Sequence, residues 1–312
     1  MNKLEKKDGK EIVRLPNDFV EAIYSLSVDA KKLFLSLCLH LNSKNEIEVH
    51  IGDIEREVGI RLEHLNQRHL KKLLKELMNK IIEIKDLENH NKWKLAVLVK
   101  EVNYDEGVVT AEISKALLPY FKEAQERLFT RFNIQNIKPL TSIHAIRMYE
   151  LCKQFDDTGW RIIELDELRK MLKLGGKYKD NKDFKKWVLE VAKKQINANT
   201  DINIDYELIK QGRKYTKIRL KIEKNPQKIE QKKNKKLANQ EKFKELETKL
   251  NRQYRNKAIK AKDGLNWFVN FIKVLNEKEV EIELTDLSRT QVIKVKLEQL
   301  PKMFKNHQNT EK

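Results

Sequence analysis

The chain has 312 residues, enough for about two domains, because a single hydrophobic core rarely grows beyond ~250–300 residues. Hydrophobic residues make up 40% and charged residues 36%, so the chain can bury compact cores and is not wholly disordered. Lysine and arginine outnumber aspartate and glutamate by 65 to 47, and the net charge of +18 favours a polyanionic partner such as nucleic acid.

The sequence contains no recognisable targeting or membrane segment. No stretch approaches the roughly 18 apolar residues of a membrane span, and the N-terminus lacks the apolar core of a signal peptide. Cys38 and Cys152 are too few for a disulfide framework, and each lies in an apolar helical pattern. These features predict a cytoplasmic protein without a membrane partner.

The first pattern of apolar residues, over 28–104, is typical of a winged helix. A helix over 28–41 precedes a short helix in 51–60, a turn at Gly59 and a longer helix over about 64–80. Two segments that alternate apolar and polar residues then predict a β-hairpin over 81–104. In a winged helix-turn-helix module, the longer helix enters a DNA major groove and the hairpin, or wing, contacts the flanking backbone.

The same order of elements recurs in residues 142–223. A helix over 142–155 is followed by a strand and short helix in 161–174, and by a turn at Gly175-Gly176. A longer helix over about 182–198 and a hairpin over 202–223 complete the copy. Two copies in tandem make the winged-helix interpretation more specific than one match would.

Helical spacing divides the second longer helix into a buried face and a basic face. Phe184, Val188 and Val191 form the predicted buried face, with Trp187 and Ala192 at its edges. The opposite face consists of Lys182, Lys186 and Lys193, flanked by Lys185, Leu189 and Glu190.

The predicted DNA-binding residues extend from this helix to the turn, the wing and the first module. A lysine stripe is usually only a solvated face, but this one lies between a Gly-Gly turn and a basic wing, which favours DNA contact. In the first module, Leu70, Leu73, Leu74 and Leu77 are expected to be buried beneath a basic face that binds DNA or pairs with a second subunit. The candidates are Arg61, Arg68, Lys72, Lys75, Lys177, Lys179, Lys182, Lys185, Lys186, Lys193, Lys210, Arg213, Lys214 and Lys217.

The C-terminal part is distinguished by its charge. Residues 224–262 hold 14 basic and 4 acidic residues, a net charge of +10, and this composition predicts a basic linker or helical arm. The segment could be a solvated tether, or it could be an auxiliary arm that contacts DNA or docks a partner. In the small segment 263–312, of unknown role, LNWFVNFIKVL predicts a short helix, and EVEIELTDLSRTQVIKVKLEQL predicts a strand pair. The expected fold is α+β, mainly helical, with tandem winged helix-turn-helix domains at 1–135 and 136–223 and a basic C-terminal tail.

The second module resembles the second winged-helix domain of initiator replication proteins from iteron-bearing, theta-replicating plasmids. The start of the first module and ISKALLPYFKEAQERLFTRFNI resemble the first domain of that family, so the resemblance covers about residues 10–223. The matching features of the second module are Ser142, the Ala-Ile-Arg-x-Tyr-Glu-Leu stretch at 145–151, Leu-Arg-x-x-Leu at 168–172, Tyr178 before Phe184, Ile196-Asn197, Thr200-Asp201 and Lys-x-Gly-Arg at 210–213.

The resemblance implies a specific biological role. Monomers of such initiators bind the direct repeats (iterons) of a plasmid origin, with both winged helices in successive major grooves of double-stranded DNA. Dimers joined through the first domain bind an inverted repeat at their own promoter, or pair origins, and so limit copy number. Bound initiators help to open an AT-rich segment and recruit the host initiator and helicase, without a catalytic residue or cofactor of their own.

Enzymatic alternatives lack their motifs. A Walker loop would need a glycine five residues before Gly176, where Met171 stands, and neither metal-type cysteine spacing nor a Gly-x-Ser-x-Gly elbow occurs. A relaxase would need a His-hydrophobe-His metal pair, and no two of the seven histidines are two residues apart. We therefore expect no enzyme, cofactor or metal site, and a winged-helix transcriptional repressor or nucleoid-type DNA-binding protein stays open as the alternative.

The hairpin strand KWKLAVLVKEVNY suggests where a dimer would form. It is long, apolar and alternating, and an uncovered edge of that kind tends to pair with a copy of itself. Alternation assigns Val97 and Val99 to one face of this strand and Leu98 to the other. We expect self-association at this hairpin, with LNWFVNFIKVL as the alternative surface.

Overall fold

The computed structural model describes residues 11–42, 46–61, 67–85, 93–123, 129–260, 266–286 and 289–305. The chain divides into two compact units, Met1–Lys228 and Ile229–Lys312, each built around its own hydrophobic core. Among the described residues, helix accounts for 44% and strand for 35%, so the fold is α+β as expected, with more helix than strand. Among the described helices, none combines the length and apolar character needed to cross a bilayer.

The first module has the element order that the sequence predicts, with further strands around it. The elements are β1 (Ile12–Pro16), α1 (Asn17–Glu21), α2 (Val28–Leu39), β2 (Glu46–His50), α3 (Ile51–Val58), α4 (Gln67–Met78), β3 (Ile81–Lys85), β4 (Trp93–Val97), β5 (Val99–Asp105), β6 (Val108–Ile113), α5 (Leu118–Glu123) and β7 (Phe129–Asn133).

Local signals set the helix boundaries of this module. The Ser27 hydroxyl accepts a hydrogen bond from the Ala30 N–H and caps α2. Helix α3 ends at Gly59, whose φ of 72° is the left-handed conformation that glycine adopts without a steric penalty. The expected turn at Gly59 is therefore confirmed. The predicted start of the longer helix, at about residue 64, lies outside the described residues.

The long hairpin strand predicted over residues 92–104 is not one strand. Strand β4 pairs antiparallel with β3 and ends at Val97, whereas β5 pairs with β6 in a separate three-stranded sheet of order β2–β6–β5. The chain bends at Leu98, which is completely buried. The assignment of Leu98 to a hairpin face is therefore wrong, because packing into the core outweighs simple alternation at this bend.

The second module also follows the predicted order. Its elements are α6 (Ile143–Lys153), β8 (Trp160–Glu164), α7 (Leu165–Met171), α8 (Asn181–Phe184), a π-helical turn (Lys185–Leu189), α9 (Glu190–Asn199), β9 (Ile202–Gln211) and β10 (Lys214–Lys224). Strands β9 and β10 form the predicted hairpin, and β8 joins them in a three-stranded sheet of order β8–β10–β9.

The π-helical turn changes which residues of the longer helix face the core. Because a π turn holds more residues than an α turn, the buried side shifts along the helix surface. Leu189, predicted on the basic face, is 1% exposed, whereas Trp187, predicted at the edge of the buried face, is 50% exposed. Val191 is only partly buried. The observed buried face consists of Phe184, Val188, Leu189, Ala192 and Ile196.

A buried ionic network ties α6 to the start of the chain. The Arg147 guanidinium donates hydrogen bonds to the Glu150 carboxylate (2.8 Å), the Tyr24 hydroxyl (3.0 Å) and the carbonyl oxygens of Val20 (2.8 Å) and Ala22 (3.0 Å). On the other side of Glu150, the Lys31 ammonium lies 2.6 Å from the carboxylate. The side chains of Lys31 and Glu150 are fully buried, and burial raises the pKa of Tyr24. These charges are stable there because each has a partner.

The C-terminal unit is a helix-covered sheet. Helix α10 (Pro226–Tyr254) leads into β11 (Ala258–Lys260), β12 (Asn266–Val274), β13 (Glu279–Thr285), β14 (Thr290–Lys296) and α11 (Leu300–Lys305), and the four strands form an antiparallel sheet in chain order. Leu250 and Tyr254 of α10 belong to the same hydrophobic core as the buried side chains of this sheet. The strand pair predicted over β13 and β14 is confirmed.

The helix predicted for LNWFVNFIKVL is wrong, because its described residues form strand β12. Trp267 and Val269 are buried before an irregularity in the pairing with β13, and Ile272 and Val274 are buried after it. The extra residue at this bulge changes the apolar spacing from two to three positions, and such spacing resembles that of a helix.

Candidate nucleic-acid interface

The turn before the longer helix of the second module is held in an unusual backbone conformation. Gly175 and Gly176 have φ values of 58° and 84°, and Tyr178 also has a positive φ, of 55°. Arg169 of α7 donates hydrogen bonds to the Lys179 carbonyl oxygen of the turn (3.4 Å) and to the Asn181 side chain at the start of the helix (2.8 Å). Lys177 and Lys179 are exposed on the turn. The predicted Gly-Gly turn thus presents two cations beside the start of the helix.

Two further contacts order this helix start. The Asp180 carboxylate accepts the Lys182 N–H at 3.0 Å and caps the helix. The His144 ring packs edge-on against Tyr178, with the ring centroids 6.3 Å apart. Burial, together with the nearby Lys177 charge, lowers the pKa of His144, so its imidazole is neutral at neutral pH.

The outer face of this helix is basic and also carries an aromatic ring. Lys182, Lys185 and Lys186 are exposed as predicted, and the Lys186 ammonium lies 4.6 Å from the centroid of the Trp187 ring. The helix therefore presents cations together with a large apolar surface, a combination suited to a DNA groove.

Lys193 differs from the other predicted cations of the helix. Its ammonium lies 2.7 Å from the Asp205 carboxylate on β9, and the hydrogen bond raises the pKa of Lys193 and lowers the pKa of Asp205. The neighbouring Glu190 accepts a hydrogen bond from the Tyr206 hydroxyl. This side of the helix is thus tied to the wing, and Asp205 already neutralises part of the Lys193 charge.

The wing of the second module ends in a basic tip. Gly212 has a φ of 62° at the turn, and Lys210, Arg213 and Lys214 around it are exposed. Lys217 lies further along β10, where its ammonium is 3.1 Å from the Glu164 carboxylate on β8. The tip cations are therefore better placed for DNA contact than Lys217.

In the first module, the predicted division of α4 into two faces is present. Leu70, Leu73, Leu74 and Leu77 are buried. Arg68, Lys72 and Lys75 are exposed on the outside, together with Lys71, and Arg61 is exposed just before the undescribed residues 62–66. The tip of this module's wing, residues 86–92, also lies outside the described residues.

Sequence reasoning missed two exposed apolar groups. One is Trp187, whose exposure depends on the π turn. The other lies on the hairpin of the first module, where Ile81, Trp93 and Leu95 are each more than half exposed. They occupy the alternate positions to the buried Ile82, Ile84 and Ala96, so the period-two pattern around β3 and β4 was the available signal.

Both cysteines of the chain, Cys38 and Cys152, lie in the first unit and are free thiols. Burial raises the pKa values of the Cys38 and Cys152 thiols to about 12, so neither is poised as a nucleophile. Among the described residues, no cluster of three or more histidine, cysteine, aspartate or glutamate side chains is arranged to hold a metal ion.

Comparison with known families assigns the first unit. The model described as "Initiator Replication protein, WH1" matches residues 12–153, and the model described as "Initiator Rep protein, WH2" matches residues 164–222. Together, these matches cover well over half of the chain. This chain belongs to the initiator replication protein family. The initiator thus carries two tandem winged-helix domains, and its role is DNA binding in the initiation of plasmid replication.

The solved structures that match the initiator do so with low sequence identity and low TM-scores. The crystal structure of domains 2 and 3 of RctB is 12% identical, with a TM-score of 0.41, over 64% of this chain and 82% of that chain. The WH1 domain of MSBI1.176, a replication protein isolated from a multiple sclerosis patient, is 16% identical, with a TM-score of 0.24, over 32% of this chain and 80% of that chain. The family assignment rests on the two family models.

Proposed function

We propose that this initiator recognises the direct repeats of a plasmid origin as a sequence-specific double-stranded DNA-binding protein. One observation carries the proposal: the turn, the helix and the wing tip of the second domain all expose cations, at Lys177, Lys186 and Arg213 among others. In a winged helix these are the parts that meet the DNA backbone and the major groove. The first domain adds the basic outer face of α4.

The proposed role needs no catalytic residue. Binding to several repeats in the bacterial cytoplasm would concentrate the initiator beside an AT-rich segment, help to open it, and recruit the host replication initiator and helicase. Family membership supports this sequence of events, and the positive charge of the chain supports the DNA-binding step.

Footprinting of the DNA upstream of the initiator's own gene tests this proposal. A replication initiator should protect several direct repeats beside an AT-rich stretch, in register with one another. Protection of one inverted repeat alone, with no direct repeats nearby, would instead support a winged-helix transcriptional repressor.

Helix and wing cations are expected to contribute differently to binding. Lys186→Ala should weaken binding to the repeat by about 1–3 kcal/mol and affect random DNA less, because a lysine in the groove also contacts base edges. Arg213→Ala should weaken binding to both DNAs by similar factors, because phosphate contacts carry no sequence information. Fluorescence anisotropy with repeat and random duplexes measures both effects.

Lys193→Ala provides the matched comparison on the same helix. Since Asp205 holds the Lys193 ammonium, this variant should lose less affinity for the repeat than Lys186→Ala. If Lys186→Ala and Arg213→Ala weakened repeat and random DNA by equal factors, the helix would not be the element that reads sequence.

The first-domain hairpin is the surface that we propose for dimer formation. Among the described strands, β4 pairs only with β3, so its other edge has no strand partner there. Ile81, Trp93 and Leu95 expose 55%, 66% and 54% of their surface on this hairpin. Clustered apolar side chains of this exposure are typical of protein interfaces, and a symmetric dimer would suit an inverted repeat.

A charge at the centre of this surface should prevent dimer formation. Leu95→Asp is expected to weaken self-association by roughly 30-fold or more, the effect of losing an interface anchor of about 2 kcal/mol. Binding to an inverted repeat should fall with it, whereas binding to a direct repeat should not change. Analytical ultracentrifugation and gel shifts on both DNAs measure these outcomes.

Val292→Asp is the matched control, because Val292 is also an exposed strand residue, at 57%, but lies on β14 of the other unit. It should leave the dimer fraction unchanged. If a folded Leu95→Asp variant kept the wild-type dimer fraction, the dimer interface would lie elsewhere. Phe268 and Phe271 on the exposed side of β12 would then be the next surface to test.

A further inference from the structure

Trp187 is a large apolar side chain exposed on an otherwise polar helix face. Half of its surface is accessible, although the same helix buries Phe184, Val188 and Leu189 almost completely. The cause is local: the π-helical turn Lys185–Leu189 moves Leu189 into the core and leaves the indole outside. π turns are often found at functional sites, where they reposition one side chain.

The surroundings of Trp187 match those of a DNA-contacting residue. The Lys186 ammonium lies over its ring, 4.6 Å from the centroid, and this cation–π contact helps to fix the orientation of both side chains. Val191, one helical turn further on, is partly exposed and extends the apolar strip. The strip lies beside the basic face that the proposed function assigns to the major groove.

The chemical groups at the base edges of the major groove determine which base an indole ring can recognise. Guanine, adenine and cytosine present hydrogen-bond donors or acceptors at their major-groove edges, whereas thymine also presents an apolar C5-methyl group. The indole ring offers an apolar face and only one N–H donor. A thymine methyl is therefore the feature of the major groove that best complements the exposed ring.

We propose that Trp187 is a specificity-determining residue that reads thymine in the repeat, by packing its indole ring against the C5-methyl group. The inference rests on the proposed binding of repeats by this helix and adds the identity of one recognised base. Lys186 supplies charge and hydrogen bonds at the same place, so the pair combines general attraction with discrimination between bases.

The experiment starts from DNA that the full-length initiator selects from a library of random duplexes. Each thymine of the selected duplex is then replaced in turn by uracil, which lacks only the methyl group. For the wild-type protein, one or two positions should show a loss of affinity of about fourfold, the value of one buried methyl group. For Trp187→Ala, the same positions should show no loss.

Substitutions of Trp187 itself give a second measurement of its contribution to DNA binding. Trp187→Ala should weaken binding to the selected duplex by about 10- to 100-fold, as removal of an aromatic anchor does, and Trp187→Phe should recover part of the loss. Trp160→Ala is the matched control, because Trp160 is a 55% exposed tryptophan on β8 of the same domain. This control should bind like the wild-type protein, and circular dichroism verifies that all three variants are folded.

The outcomes separate this inference from the proposed function. A wild-type protein that selects no duplex would contradict the proposed function itself. If a duplex is selected and Lys186→Ala weakens its binding, but uracil substitution costs the wild-type protein and Trp187→Ala equally, repeat binding stands and the role of Trp187 is overturned. If Trp187→Ala bound DNA with unchanged affinity, the exposed ring would not contact DNA, and the role of Trp187 would likewise be overturned.

Discussion

Replacement of Arg147 by glutamine is expected to destabilise the Met1–Lys228 unit by about 3–5 kcal/mol, because it removes one of the two cations that pair with the buried Glu150 carboxylate and breaks a buried hydrogen-bond network. Glutamine cannot replace the positive charge beside Glu150, nor can it supply all the hydrogen bonds to the carbonyl oxygens of Val20 and Ala22. Chemical denaturation followed by circular dichroism measures the change in the free energy of unfolding.

A surface arginine provides the matched control for this substitution. Arg56 pairs with Asp53 at 2.6 Å, but 56% of its side chain is exposed, so Arg56→Gln should cost less than about 1 kcal/mol. A combined replacement of Lys31, Arg147 and Glu150 by methionine or leucine should recover much of the stability, because no buried charge is then left alone. Equal costs for Arg147→Gln and Arg56→Gln would contradict a structural role for the network.

DNA binding is expected to weaken by about 10³–10⁵-fold between ~50 and ~200 mM salt, if the two winged-helix domains together neutralise ~6–10 phosphates. The exposed cations of the turn, the helix, the wing tip and α4 are numerous enough for this number of contacts. Each contact releases counterions, and the logarithm of the binding constant therefore falls linearly with the logarithm of salt concentration. Anisotropy titrations at several salt concentrations give the slope.

The slope also identifies which cations contact phosphates. Removal of Lys210, Arg213 and Lys214 together should make the slope shallower by roughly three ion equivalents, about 0.9 for each phosphate that the wing tip no longer neutralises. Lys217→Ala should change it less, because Glu164 already pairs with this cation. A wild-type slope below about two equivalents would contradict binding through two domains.

The sequence was sufficient to predict the order of elements in both winged-helix domains, because that order depends on local signals. Apolar periodicity, the glycines that end helices and the polar hairpin turns each act within a few residues. The basic face of α4 and the exposed lysines at 182, 185 and 186 followed from the same periodicity, and their exposure agrees with it.

The predictions from sequence that were wrong concern residues where tertiary packing overrides local periodicity. A helical projection assumes a constant number of residues per turn, so it could not place Trp187 and Leu189 across a π turn. The bulge in β12 made a strand look helical, and the bend at Leu98 divided one predicted strand between two sheets. The pairing of Lys193 with Asp205 depends on how the helix packs against the wing, which residue spacing does not reveal.

The continuous core of the first unit has a consequence for the geometry of the DNA target. Apolar residues from β1 through β10 belong to one buried cluster, and Arg147 adds a polar connection across it. The longer helices of the two winged-helix domains are therefore held at a set separation, unlike helices joined by a flexible tether. With both helices in major grooves, as proposed, an insertion of about half a helical turn, ~5 base pairs, between the two contacted DNA segments would rotate one segment to the far side of the duplex. Under the proposed function, the spacing of the two segments would then be recognised together with their base sequence.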